Sequence, residues 1–232
     1  MSEAERILEE YRKRRERAGG DNYAYTNPGN LFLRQGQERA LLWALHEANV
    51  VPLGDRSILD VGFGEGRWSE LLIELGADAE QMAGIELDEA RAAVARHRLP
   101  WCDLRTGDAS SLPWPDESFD IVTQATVFTS ILDDRMRRQV AAEMTRVLRP
   151  GGVLLWYDFA FNNPRNRAVS GISAQTLRSL FSGARIKTRK VTLAPPLARR
   201  LASRVWHLAG LLEGIRVLNT HLVAVIRPRK RF

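Results

Sequence analysis

The chain has 232 residues, 44% apolar and 27% charged, which is enough chain for one substantial core and is the composition of a globular protein. The single cysteine, Cys102, excludes an internal disulfide, a cysteine-clustered zinc site and an iron–sulfur cluster held by several thiolates of one chain. The formal charge of +6 is carried by thirty arginines and only four lysines, and the basic runs Arg12-Lys13-Arg14-Arg15 and Arg227-Pro228-Arg229-Lys230-Arg231 sit near the two ends. Such runs suit either solvated termini or a phosphate backbone, and terminal placement favours the former. No apolar stretch approaches the roughly 18 residues of a membrane span, and the chain opens Ser2-Glu3-Ala4-Glu5-Arg6 rather than as a secretory signal, so a cytoplasmic protein is expected.

Residues 2–17 predict an amphipathic helix, with a Ser2-x-x-Glu5 capping box, a stripe of Ala4, Ile7, Leu8 and Tyr11, and Gly19-Gly20 as its stop. The segment 21–36 reads as turn-rich, with Tyr23, Tyr25, Asn27-Pro28-Gly29-Asn30 and Phe32, and a second helix follows over 36–48. From Ser57 short β-branched runs alternate with helical patterns, the signature of a parallel sheet built from crossover units. Strands are predicted at 57–61, 82–86, 102–106, 119–125 and 152–158, with helices at 66–75, 88–98 and 134–148. A helix over 173–182 and strands over 186–193 and 217–226 complete the pattern. Between those last strands, Pro195-Pro196 opens a helix carrying Leu197, Leu201, Val205, Leu208, Leu211 and Leu212.

The chemistry begins at Ile58-Leu59-Asp60-Val61-Gly62-Phe63-Gly64-Glu65-Gly66, a strand running into a glycine-rich turn and a helix. Such a turn lets backbone amides approach a ligand, or simply makes a tight connection. A dinucleotide fingerprint would place its third glycine at 67, where Arg67 stands, and a phosphate-cradling loop would need Gly-Lys-Ser/Thr, which is absent. Glu86 falls at the next strand tip and Asp108 at the one after. A carboxylate at the first can accept from a ribose diol and one at the second from an adenine amine, while each could equally cap a helix.

Asp60-x-Gly62-x-Gly64-x-Gly66, Glu86, Gly107-Asp108-Ala109, the run from Leu112 through Ser118-Phe119-Asp120 to Val122, and Leu148-Arg149-Pro150-Gly151-Gly152 resemble, in order, the motifs of class I S-adenosylmethionine (SAM)-dependent methyltransferases, the small-molecule branch especially. The resemblance implies an α/β fold, a Rossmann-like doubly wound seven-stranded sheet with an antiparallel last strand. It divides the chain into an N-terminal helical cap, 1–50, and a SAM-binding domain, 51–232, with an inserted helix over 194–215. It further implies that Asp60 and the backbone of Gly62, Phe63, Gly64 and Gly66 hold the methionine part of SAM. Glu86 would take the ribose, Leu87 pack on the adenine, Asp108 and Ala109 read its edge, and Gln124 line the methionine side. Tyr25 or Arg34 would complete the site from the N-terminal segment, an arginine being suited to a carboxylate.

Methyl transfer from a sulfonium needs alignment and exclusion of water, and a general base only where the acceptor loses a proton. Asp158, at the fifth strand's end, and His207, on the inserted helix, are the candidate bases, against a cap and a structural histidine respectively. Four scattered histidines show no ligand spacing, so no metal is expected. The run Gln124-Ala125-Thr126-Val127-Phe128 lacks the Pro-Pro-aromatic signature of nucleic-acid amino-methyltransferases, and Cys102 follows Trp101 rather than the proline of a cytosine enzyme. The resemblance to the small-molecule branch implies a small-molecule acceptor, and that family's usual chemistry implies methylation at oxygen, in secondary-metabolite or saccharide biosynthesis. RNA held by the basic termini, or a SAM-binding protein without activity, are the alternatives. Segments 21–36, 159–167 and 194–215 are the candidate cover of the acceptor pocket. The last could instead pack on the sheet, pair two copies in a homodimer rather than a monomer, or use Arg199, Arg200 and Arg204 against an anionic membrane.

Overall fold

The computed structural model describes residues 1–17, 24–162 and 166–229; the expected stop at Gly19-Gly20, Tyr23, part of the 159–167 segment and Lys230-Arg231 lie outside them. Helices α1 (Glu3–Arg17) and α2 (Pro28–Ala48) precede β1 (Ile58–Val61), α3 (Arg67–Glu74), β2 (Met82–Glu86), α4 (Glu89–Arg98), β3 (Asp103–Thr106) and β4 (Phe119–Ala125). Helix α5 (Asp134–Arg146), β5 (Leu148–Phe159), α6 (Ala174–Leu180), β6 (Arg185–Leu193), α7 (Pro195–Ala202), α8 (Trp206–Glu213) and β7 (Asn219–Arg227) complete the chain.

The seven strands form one sheet in the order β3-β2-β1-β4-β5-β7-β6, the first five parallel and β7 antiparallel to both β5 and β6. Strands β1 and β2 are buried along their whole length, as helices on both faces require. On one face Leu59, Val61, Val122 and Trp156 pack with Val140 and Met144 of α5. On the other, Ile58, Ile121, Leu155 and Tyr157 pack with Leu41 and Leu45 of α2. The edge strand β6 carries Arg185, Lys187, Arg189 and Lys190, charges that discourage pairing with a further strand.

Two elements differ from the sequence reading. Helix α2 starts at Pro28 rather than near 36, because Asn27 caps it, its Oδ1 accepting from Gly29 N at 2.9 Å, and Pro28 occupies the first turn without loss of a hydrogen bond. The inserted helix is two helices, α7 and α8, broken at Ser203–Val205, and both pack with Phe32 of α2 and Leu193 of β6 in a core of their own.

Candidate active site

The carboxyl ends of β1, β2 and β4 open onto two adjoining cavities of about 460 and 510 Å³, the crevice expected where strand order reverses. Gly62, Glu65, Arg91, Ala125, Thr126 and Phe159 line both, so the cavities meet at the tips of β1 and β4. The turn after β1 needs its glycines for different reasons. Gly62 has φ +69°, and a Cβ there would lie 2.3 Å from Val127 Cγ2. Gly66, at φ +85°, starts α3, and a Cβ would crowd Ala95 and Leu99.

The first cavity is lined by Glu86, Leu87, Asp108 and Ala109, as the sequence suggests. Glu86 is buried and accepts from Gly64 N at 2.9 Å and Asp88 N at 3.0 Å, with Arg91 Nη1 at 3.6 Å. Its carboxylate keeps acceptor capacity for a ligand hydroxyl. The Gly64 amide is thus spent on Glu86 rather than offered to a ligand. Asp108 makes a local turn, accepting from Ser110 N at 2.8 Å.

Over this cavity lies α1, part of the 1–50 segment expected as a helical cap covering substrate or SAM, although none of its own residues was singled out for the site. Ile7, Tyr11, Arg14 and Arg15 line it. Arg6 Nη2 donates to Ser130 O at 2.6 Å, Arg15 pairs with Asp88, and the Arg91 guanidinium sits 4.9 Å from the Tyr11 ring centre. Tyr11 was legible only as part of an apolar stripe; nothing local says which surface a stripe will meet.

The second cavity is lined by Tyr25, Arg34, Asp60 and Phe63, with Gln37, Thr192, Pro195, Arg199 and His221 at its walls. The Tyr25 ring is flanked by Arg34 and Arg67, each guanidinium carbon 4.7 Å from the ring centre. Asp60 is fully buried. Ser69 Oγ donates to its Oδ2 at 2.6 Å, while Oδ1 has no partner. Burial pushes its carboxyl up to about 7, opposed by the Ser69 bond and reinforced by the charge of Glu86. Thr126 and Thr192 both hold left-handed backbone, φ +61° and +62°, costly for β-branched residues and concentrated here at the cavity.

Five expected site residues line neither cavity, Gly64 and Gly66 of the turn among them, and the other three are side chains placed elsewhere. Gln124 lines neither cavity: its Oε1 accepts from Val127 N at 3.0 Å and its amide faces Tyr157 O, so it braces the loop after β4. Asp158 is buried beneath the same loop, accepting from Thr129 Oγ1 at 2.6 Å, Thr129 N at 3.2 Å and Phe159 N at 2.9 Å; burial pushes it up to about 7. It lines neither cavity, and its hydrogen bonds go to the loop after β4. His207 is exposed on α8 and lines neither cavity. The histidine that does face the second cavity is His221, read from the sequence as an ordinary strand residue. Its ring stacks on Tyr157 at 4.9 Å and meets the tilted Phe159 ring at 3.9 Å, Thr220 Oγ1 lies 3.2 Å from its Nδ1, and burial lowers its pKa to about 3, so it is neutral. Among the described residues no group of three or more His, Cys, Asp or Glu could hold a metal ion, and no helix is long and apolar enough to cross a membrane.

Residues 58–152 match the family model described as a methyltransferase domain. The chain is 36% identical over 166 residues to the phthiotriol/phenolphthiotriol dimycocerosates methyltransferase of Mycobacterium tuberculosis, a match covering 68% of this chain and 60% of that protein. It is 35% identical over 107 residues to the demethylmenaquinone methyltransferase of Listeria welshimeri, 44% of each. The chain spans 37% and 60% of the length of the first curated relatives it matches. Among solved structures, a SAM-dependent methyltransferase from Thermotoga maritima superposes with a TM-score of 0.62 at 18% identity, over 96% of this chain and 99% of that one, a likeness of fold.

Proposed function

From the premise that the chain belongs to the class I SAM-dependent methyltransferases, we propose that it moves a methyl group from SAM to an oxygen of a small, largely apolar acceptor in the second cavity. One observation carries the reading: Asp60, a wall residue of the second cavity two positions before the shared Gly62, keeps a buried Oδ1 without a partner, a cost that a cationic amine would remove. SAM presents such an amine at one end and an adenosine at the other. Asp60 would hold the amine, Arg34 the neighbouring carboxylate, Glu86 the ribose hydroxyls, and Leu87, Asp108 and Ala109 the adenine.

When bound, SAM supplies an activated methyl on a positively charged sulfur. The chain's own residues supply alignment and dryness. Thr126 and Phe159 form the neck, α1 closes the adenosine side, and α2 with α7 closes the acceptor side. With Asp158 committed to Thr129 and His207 in solvent, neither takes a proton from the acceptor. Arg67 and Arg199, wall residues of the second cavity given no part in holding SAM, instead favour an acceptor oxygen that ionises readily, a phenol or an enol. Leu33, Trp68, Phe159 and Pro195 would embrace its apolar body. The named relatives act on a phthiotriol-type compound and a demethylmenaquinone, which agrees with an apolar acceptor.

The test is transfer of a radiolabelled methyl from SAM into an extract of the source cells, followed by separation into organic-soluble small molecules, RNA and protein. Label is expected in the organic phase. Label released by nuclease would reject the small-acceptor reading in favour of RNA.

A further inference from the structure

Among the described residues, six of the fourteen large apolar side chains left exposed fall within a single stretch, Leu197, Val205, Leu208, Leu211, Ile215 and Val217. Leu211 is 73% and Val217 78% exposed. Helix α8 explains how. It turns Trp206, Ala209 and Leu212 onto Phe32 and Leu193, yet its other side is apolar too, and Leu208 and Leu211 remain outside. His207 is the one polar side chain exposed with them on α8, and a helix that leaves large apolar side chains outside its core contacts ordinarily meets another apolar phase there.

The charges around this face have one sign. From 194 to 217 there are four arginines, Arg199, Arg200, Arg204 and Arg216, and a single acid, Glu213. Glu213 is neutralised from α2, accepting from Arg39 Nη2 at 2.5 Å. Arg200, Arg204 and Arg216 are exposed within the same stretch of chain as the apolar side chains. Long side chains of this kind can lay their stems along an apolar surface and keep their heads at a polar boundary. The same module forms a wall of the second cavity through Pro195 and Arg199.

We propose that the outer face of α7, α8 and the turn through Val217 docks on an anionic lipid bilayer, placing the second cavity beside the membrane that dissolves the acceptor. Leucine and isoleucine side chains enter the acyl boundary and the three arginines meet lipid phosphates, the pattern of an in-plane interfacial helix. A second copy of the chain is the other occupant an apolar face could take. Three like charges in the same stretch oppose that pairing and favour an anionic surface. The delivery of acceptor rests on the function proposed above; the docking does not, and it is measured without SAM or acceptor.

The experiment is co-sedimentation of the whole chain with vesicles of phosphatidylglycerol and phosphatidylcholine in equal parts, against phosphatidylcholine alone, at low and high salt. Partitioning to the anionic vesicles is expected, falling with salt. Leu211→Glu with Ile215→Glu, and separately Arg200→Gln with Arg204→Gln and Arg216→Gln, should each lower it about tenfold or more. Both variants should keep the SAM affinity of the parent, which controls for folding. No partition of the parent chain, or equal partition of the variants, overturns the proposal. So does a dimer in sedimentation velocity that Leu211→Glu dissolves without any vesicle binding, which would make the face a contact between copies. Failure of SAM binding or of methyl transfer with intact vesicle binding would instead reject the function proposed above.

Discussion

The floor of the site and its cover are built by opposite rules. The floor, the tips of β1, β2 and β4, is made by strand ends that the sheet brings together and whose backbone has little freedom: Gly62 between Val127 and Ile85, Glu86 clasped by Gly64 and Asp88. The cover, α1 on one side and α2 with α7 on the other, comes from both ends of the chain and is held by side chains. A floor so constrained can carry one chemistry, while a cover of packed helices can be recut for different acceptors without touching it.

That contrast predicts where substitutions hurt. The largest effect is expected at Gly62→Ala, where both the left-handed φ and Val127 Cγ2 stand against a methyl group. Strain and overpacking together should cost roughly 2–4 kcal/mol in chemical denaturation and abolish SAM binding. A variant of parental stability would show that the floor is softer than its geometry. Next comes Glu86→Ala, expected to weaken SAM by roughly 1–3 kcal/mol in calorimetry with the ribose bonds lost. Tyr11→Ala, on the cover, should cost less: about tenfold in SAM affinity, mostly as faster release, because it removes the ring beneath Arg91 and leaves the floor intact. If release is unchanged, α1 is packing and no part of the site.

The same contrast explains what could be read from sequence. The alternation of strands and helices, and Glu86 and Asp108 at successive strand tips, follow from local signals, a strand that ends in glycine or acid and a helix that begins beyond it, whereas the antiparallel β7 and the parts given to Asp60 and Ala109 come only through the resemblance of the ordered motifs to a family. The start of α2 was equally local, since Asn27-Pro28 is a cap followed by a first-turn proline, but a turn satisfies the same residues. Asp158 and Gln124 misled for another reason. A polar residue at a strand tip looks alike whether it faces the crevice or turns to brace the neighbouring loop, and only the partners, Thr129 and Val127, decide between them. His221 and Tyr11 reach the cavities through long-range packing, β7 inserted between β5 and β6 and α1 folded back over β2, which no window of sequence contains.

The smallest effect is a pH dependence, and it divides floor from cover most cleanly. Asp60 and Asp158 each titrate near 7 in the folded chain, above the 3.8 of an ordinary aspartate. Their contribution to stability is therefore greatest below about pH 4 and is lost as pH rises through 7, since the folded state holds protons that the unfolded chain releases. A ligand amine beside Asp60 favours the ionised form and lowers that value, whereas Asp158, bonded to Thr129 and facing no cavity, is not touched by it. Below pH 7 binding must then expel one proton. SAM affinity should fall by up to about tenfold from pH 7 to pH 6 and level off above about pH 7.5. Calorimetry at pH 6.5 in two buffers of different ionisation enthalpy should show that proton leaving, and Asp60→Asn should abolish both the release and the slope while the Asp158 carboxyl remains. A slope that survives Asp60→Asn would move the amine off β1 and with it the orientation of SAM across the two cavities.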